Sequence, residues 1–277
     1  AARGEQGRFA PGLPKISDGQ QLFVLNGLSK LAPNGKMAII QNASALFSGD
    51  AGSGSSNIRQ YILENDWLDA IIQLSTNQFM NTGIGTYIWI LRKNKPSHRA
   101  GKVQLIDASH CFEIRRRAIG TKRSDITDAC RELISRAYGE YQNNAIYGNV
   151  NEIYCVSKIF DSEEFGYNKV VVERPMRDKD GNLVIKNGKV QPDITLRDTE
   201  NIPLSEEIDK YFEREILPYI PDAWIDKKKI KVGYEIPMTR YFYKFPKVES
   251  ASEIARRLER LEAEIAESLK ILFHTED

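Results

Sequence analysis

The chain has 277 residues, 41% hydrophobic and 28% charged, which is enough for one large or two modest cores and excludes disorder as the main state. Thirty-nine basic residues against thirty-eight acidic ones leave a net charge of +1, so wholesale electrostatic capture of nucleic acid is excluded and only a local patch can be argued. The longest apolar stretches, 37–40 and 87–91, fall far below the roughly 20 residues of a membrane span, and the polar start AARGEQGRFAPG does not read as a signal peptide.

In chain order, Ser17 and Gln20 read as a capping box that opens a helix over 18–31, with Leu22, Leu25 and Leu28 on one side and Pro33-Asn34-Gly35 stopping it. Residues 36–41 (KMAIIQ) form a short apolar run, the pattern of a strand buried on both faces in a parallel sheet. A small-residue loop, SGDAGSGSS, leads to a helix over 57–64 with Ile58, Tyr61 and Ile62 on one face, and then to a strand over 68–74. Helix, strand, helix and strand in that order predict a right-handed parallel crossover. Strands over 86–92 and 103–107 are expected to be antiparallel neighbours joined by KNKPSHRAGK. This half reads as the end of a larger α/β sheet.

After residue 107 the character changes. Ile126, Ala129, Cys130, Leu133, Ile134, Ala137, Tyr138 and Tyr141 recur at helical spacing over 125–141. Residues 168–173 read as a strand, and Asp180-Gly181 and Asn187-Gly188 are hairpin turn signals around 183–186. Ser205 is expected to cap a helix through Leu217, which Pro218 ends. Over 251–273, Ile254, Leu258, Leu261, Ile265, Leu269 and Leu272 form a stripe that needs a partner surface. The expected domains are 1–108, 109–245 and 246–277.

Cys111, Cys130 and Cys155 fit neither a disulfide framework nor a zinc pattern, and a reducing cytoplasmic setting is expected. His98, His110 and His274 sit in no triad or metal-binding context, so no metal site is expected. Four constellations remain. Phe79, amid Asn77, Gln78, Asn81, Thr82 and Gly83, precedes a buried strand; its ring either stacks on a planar ligand or plugs the end of the core. The glycine-rich stretch 49–56 either cradles a phosphate or is a plain flexible connection. Arg115, Arg116, Arg117, Lys122 and Arg123 put five cations within nine residues, either a phosphate-backbone contact or a solvated run; Lys227 to Lys229 read as solvated. The stripe over 251–273 packs either between chains or on its own chain.

Several segments together resemble the modification subunit of type I restriction-modification systems. They are Asp18-Gly19-Gln20-Gln21-Leu22-Phe23, Ile58-Arg59, the loop from Gln78 to Ile84, Val171-Val172-Glu173-Arg174-Pro175, Pro221-Asp222-Ala223-Trp224, and Gly233-Tyr234-Glu235-Ile236-Pro237-Met238-Thr239-Arg240-Tyr241-Phe242-Tyr243. The resemblance implies transfer of a methyl group from S-adenosylmethionine to adenine N6 in double-stranded DNA. It also implies a specificity subunit, a second modification subunit and a restriction subunit as partners. The implied fold is α/β: a partial Rossmann-like methyltransferase sheet followed by an α+β, mainly helical C-terminal region. Neither the family's glycine-rich cofactor motif nor its Asn-Pro-Pro-Phe/Tyr motif occurs in these residues. The chain is therefore expected to be a carboxyl-terminal portion, inactive and without cofactor by itself. In related adenine methyltransferases an aromatic in the loop before the final hairpin packs on the flipped base. Phe79 matches it by context, with Asn81 and Thr82 as pocket neighbours; from their charge and spacing, the 115–123 cations are expected to contact DNA and the 254–272 stripe to dock on another subunit.

Overall fold

A computed structural model describes residues 7–243 and 249–273. It divides into two compact units, 1–238 and 239–277.

The first unit opens with α1 (Gln20–Lys30), β1 (Lys36–Asn42), a single turn α2 (Ser44–Phe47), α3 (Gly54–Glu64), β2 (Leu68–Leu74), β3 (Thr86–Arg92) and β4 (Lys102–Ala108). It continues with β5 (Glu113–Ile119), β6 (Lys122–Asp125), α4 (Asp128–Glu140), β7 (Ala145–Gly148) and β8 (Tyr154–Asp161). A six-stranded sheet has the order β1-β3-β2-β4-β8-β7. β2 and β4 pair in parallel, and every other pairing in that sheet is antiparallel.

The expected helices and strands are therefore present, but two neighbour relations differ. β1 and β2 do run in the same direction, yet β3 lies between them and pairs with both. β3 and β4 are not neighbours; the 93–101 connection carries the chain past β2 to its other edge. β1 is also an edge strand rather than one buried on both faces, and Ile40 is half exposed. A strand inserted between two others satisfies both rows of backbone groups, which a local apolar run cannot reveal.

α1 and α3 bring Val24, Leu25, Leu28, Ile58 and Ile62 into the core, while α4 covers the opposite face over Ile72, Leu74, Ile106, Ala108 and Cys155. α4 is pinned at Asp69, a fully buried carboxylate that accepts the Tyr138 hydroxyl at 2.5 Å and pairs with Arg99 at 3.4 Å. Burial and that hydrogen bond push the Tyr138 hydroxyl pKa up to about 12. Both Cys111 and Cys155 lie in the same apolar cluster; their mutual hydrogen bond and burial push the Cys111 thiol up. Because β4 and β8 come from either side of residue 108, the sheet runs through the expected boundary there, and the division falls at 238 instead.

The rest of this unit is β9 (Gly166–Glu173), β10 (Ile185–Lys186), β11 (Lys189–Val190), β12 (Asp198–Pro203), α5 (Ile208–Glu215), β13 (Trp224–Ile225) and β14 (Lys231–Tyr234). β9 is the centre of a four-stranded sheet, with β12 on one edge and β13 and β14 sharing the other. Over 166–234, part of the region expected to be α+β and mainly helical, strand residues outnumber helical ones. Val170, Val172 and Ile202 bury against α5 and the turn after it. The Asn187-Gly188 hairpin forms as read, with both residues at positive φ. Neither expected serine cap is made: α1 follows Gly19 and α5 follows Glu207, each without a side-chain cap.

Glu173, 2% exposed, receives hydrogen bonds from Arg197 at 2.9 Å and Lys229 at 3.0 Å. Burial alone would raise its pKa, but the two cations outweigh it and hold the carboxyl below its ordinary value. A depressed native pKa means that this stabilisation is complete above the unfolded value of about 4.3 and is lost as pH falls through the native one. Melting temperatures of the wild type and Glu173→Gln measured from pH 6 down to pH 3 are expected to converge, because only the wild type has this carboxylate to lose. Parallel pH profiles would count against the trio.

The second unit holds most of α6 (Met238–Phe242) and all of α7 (Ala251–Phe273). α7 matches the expected helix end to end. Its apolar stripe is exposed, from 39% at Ile254 to 69% at Leu272.

Candidate nucleic-acid interface

The topology sets the carboxyl ends of β1, β2 and β4 along one edge of the large sheet. Asn42 is opposite Thr86, Gln73 opposite Tyr87, and Leu74 beside Ala108. Ligands of open α/β sheets gather at such an edge. The connection from β2 to β3, residues 75–85, emerges there.

That loop is organised from within. Buried Gln78 donates to the Ser75 hydroxyl, Phe79 and Thr82 form an isolated antiparallel bridge, and Asn77 and Asn81 adopt left-handed φ values of 59° and 63°. Asparagine tolerates this conformation better than bulky residues because its short amide can bond locally. The bridge leaves Met80 and Asn81 as the turn's tip. Phe79 is 37% exposed and Met80 60%, so the Phe79 ring does not fill the core. Thr82 is half-buried and Asn81 exposed.

The basic run folds as the hairpin β5–β6, and the hairpin rests on this loop. The Arg123 and Ser124 amides both donate to the Asn77 carbonyl, at 3.0 and 3.3 Å. The Ser124 hydroxyl donates to the Thr76 carbonyl at 3.2 Å, and the Thr121 hydroxyl to the Phe79 carbonyl at 3.4 Å. At the hairpin's tip Gly120, with φ +59°, lies so close that an added Cβ would be 3.3 Å from the Asn81 Oδ1. The structure therefore joins two features that are separate in sequence.

The five cations are not equivalent. Arg115 and Lys122 both bind Asp125, at 2.5 and 3.0 Å, and their hydrogen bonds hold that carboxyl below the usual range. Arg116, Arg117 and Arg123 are exposed and form no ion pair among the described residues. The hairpin thus carries three exposed, uncommitted arginines and is bonded through its backbone to the loop that holds Phe79; cations and an aromatic ring are the residue types that meet phosphates and unstacked bases.

The sequence reading missed a polar network at the carboxyl end of β1. The Gln20 amide donates to Asp18 at 2.9 Å and to Asn42 and Ser44, both at 2.6 Å, and the Asn42 amide donates back to the Gln20 side chain at 2.9 Å. These contacts, not a capping box, occupy Gln20. The one sequence signal was the run of polar residues immediately after the apolar strand, Gln41-Asn42-Ala43-Ser44.

The glycine-rich stretch is built around a close backbone crossing. Gly12 and Gly54 are glycine because two backbones cross there: a Cβ on Gly54 would be 1.9 Å from the Leu13 carbonyl oxygen. Ser53 caps α3 itself, and Asp50 binds Lys169 at 2.7 Å. These contacts commit the Ser53 and Asp50 side chains within the chain. Lys227 and Lys229 pair with Asp209 and Glu173, in keeping with a structural surface run.

The segments from Ile58-Arg59 and Gly233-Tyr234 form one lock. Arg59, 1% exposed, donates to the carbonyls of Tyr234 at 2.5 Å, Ala45 at 3.2 Å and Ser48 at 2.9 Å. Burial, only partly offset by Tyr167 and the Glu235 carboxylate, pulls its pKa down to about 10. The Tyr234 amide in turn donates to the Ser56 hydroxyl at 2.9 Å. These residues hold β14 against α3 and take no part in the interface.

A family model described as N-6 DNA Methylase matches residues 2–193. The type I restriction enzyme MjaVII methylase subunit of Methanocaldococcus jannaschii is 30% identical over 180 residues, covering 65% of this chain and 26% of that protein. The MjaIX methylase subunit from the same organism is 24% identical over 160 residues, covering 58% and 27%. A crystal structure of the type I restriction-modification methyltransferase subunit from Streptococcus thermophilus is 30% identical, with a TM-score of 0.47, covering 58% of this chain and 31% of that one. The chain spans about a quarter of the length of these curated relatives. Among the described residues no helix is long and apolar enough to cross a membrane, and no group of ligating side chains could hold a metal.

Proposed function

Since the chain belongs to the N-6 DNA methylase family, we propose that it forms the DNA-facing part of an adenine-N6 methyltransferase in a type I restriction-modification complex. The observation that carries this reading is the docking of the basic hairpin on the Phe79 loop, at the edge where the sheet's strands end. An exocyclic amine needs alignment and a localised lone pair more than a reactive side chain. The adenine must leave the duplex to be reached. In this reading Phe79 stacks on the extruded base, Asn81 and Thr82 border the pocket, and the hairpin cations hold the phosphates beside it. S-adenosylmethionine supplies the methyl group when bound by other residues of the complete methyltransferase.

The test is the salt dependence of duplex binding. Each neutralised phosphate contributes about −0.9 to the slope of log K against log salt. Changing Arg116, Arg117 and Arg123 together to Ala is expected to reduce the slope by roughly 2–3, whereas Arg115→Ala moves it less because that cation is already held by Asp125. An unchanged slope in the triple variant would reject the hairpin as the phosphate contact.

Subunit docking is assigned to α7, whose exposed stripe favours it. The partners are the specificity subunit, a second modification subunit and the restriction subunit. Leu261 and Ile265 are 48% and 60% exposed, so Asp at both is expected to leave the chain folded and to weaken copurification with the specificity subunit. Undiminished copurification counts against α7 as the contact.

A further inference from the structure

Two exposed large apolar side chains sit at the tips where the loop and hairpin meet, Met80 at 60% and Ile119 at 46%. Apolar side chains held together on a hairpin that also carries exposed Arg116, Arg117 and Arg123 mark a contact surface rather than scattered exposure. Its centre is defined by backbone geometry: Met80 is one residue before Asn81, Ile119 one residue before Gly120, and Gly120 abuts Asn81. The two tips are fixed side by side by hydrogen bonds, and their apolar side chains are left without a place in any core.

We propose that Met80, supported by Ile119, is the wedge that enters the base stack when the adenine is extruded. This rests on the DNA-methyltransferase reading above and assigns a residue to a step that reading leaves open. Removing a base from a duplex exposes the faces of its two stacked neighbours. An unbranched thioether can fill a space of that width and shape, and apolar side chains inserted between base steps are a general means of holding a duplex unstacked. Position on the turn supports the division of labour. Phe79 is in the bridge with Thr82, while Met80 is at the tip beyond it and can advance into the duplex as the base swings toward the ring. The exposed arginines on the same hairpin argue for a polyanion as the occupant of this patch, because guanidinium groups without a carboxylate partner match phosphate oxygens.

A wedge favours a duplex whose stack is already open, because the unstacking cost is then absent. The full chain is titrated by fluorescence anisotropy against an intact duplex and against the same duplex with one abasic site. The wild type is expected to bind the abasic duplex roughly tenfold more tightly. Met80→Ala is expected to lose most of that preference, and Met80→Leu to keep it. Because Met80 is exposed, thermal melts of both variants should match the wild type, which separates loss of the wedge from loss of the fold. Equal binding of the two duplexes by the wild type, or a preference that survives in Met80→Ala, overturns the wedge and leaves the DNA reading standing. Failure of the wild type to bind either duplex overturns both.

Discussion

Phe79→Ala in the assembled methyltransferase is expected to lower methylation by roughly tenfold to a hundredfold. Stacking of an aromatic ring on an unpaired base is worth about 1–3 kcal/mol, and about 1.4 kcal/mol corresponds to a factor of ten in rate. The ring is 37% exposed and lies in a loop held by backbone bonds, so the same substitution should barely change thermal stability. A buried phenylalanine would lose about 3–5 kcal/mol instead. Phe79→Trp should retain much of the activity, since any π-face can stack and the exposed site has room for the larger ring. Methylation assays and melting curves on the three proteins decide the matter. Near-normal methylation with a large stability loss in Phe79→Ala would reject the stacking role.

Arg59→Ala is expected to have the largest effect on stability in the chain. The guanidinium is buried and satisfies three carbonyls from two segments, Ala45 and Ser48 at α2 and Tyr234 at the end of β14. Removing it takes a donor from all three; Ala45 keeps the Gln21 amide, while loss at Ser48 and Tyr234 costs about 1–3 kcal/mol for each carbonyl that neither another donor nor water can reach. A total of roughly 3 kcal/mol or more would lower the melting temperature by roughly 6–12 °C at 2–4 °C per kcal/mol. Arg59→Lys keeps the charge but loses the planar fork, so partial rescue is expected. Calorimetric melting of both variants checks this; an Ala variant as stable as the wild type would show that the three carbonyls find other partners.

Much of the fold was legible because apolar spacing was unambiguous. α4 shows it in Cys130, Leu133, Ala137 and Tyr138, and α7 in its stripe from Ile254 to Leu272. β2 was bounded correctly, since its Ala-Ile-Ile run is buried on both faces. Neighbour order was not legible. Nothing local in Thr86–Arg92 says that it pairs with Lys36–Asn42 on one side and Leu68–Leu74 on the other. The capping box failed for a related reason: Gln20 has tertiary acceptors more than twenty residues away in sequence, and they outcompete a local cap. The β5–β6 hairpin was read only as a run of charge. Its signal was Gly120-Thr121 between Ile119 and Lys122, a turn pair flanked by strand residues. Of the interface, each half was visible as a candidate, but their junction depends on backbone hydrogen bonds from Arg123 and Ser124 to Asn77, which no side-chain pattern encodes.

The insertion of β3 between β1 and β2 also fixes an order of events during synthesis. When residue 74 has been made, β1 and β2 both exist but have no partner to join them. The slot closes only after residue 92, which at about 5–20 residues per second takes roughly 1–4 s. Until then the Ala-Ile-Ile segments of both strands carry unpaired edges that can recruit other nascent chains. The quickest escape is the β2–β3 hairpin, whose connection is the 75–85 loop, because no other partner of β3 is as near in sequence. The loop that carries Phe79 and Met80 is therefore also the closure that first shields the nascent sheet. Substitutions that loosen its turn at Asn77 or Asn81 should lower the yield of soluble protein from cells even where the purified protein melts normally.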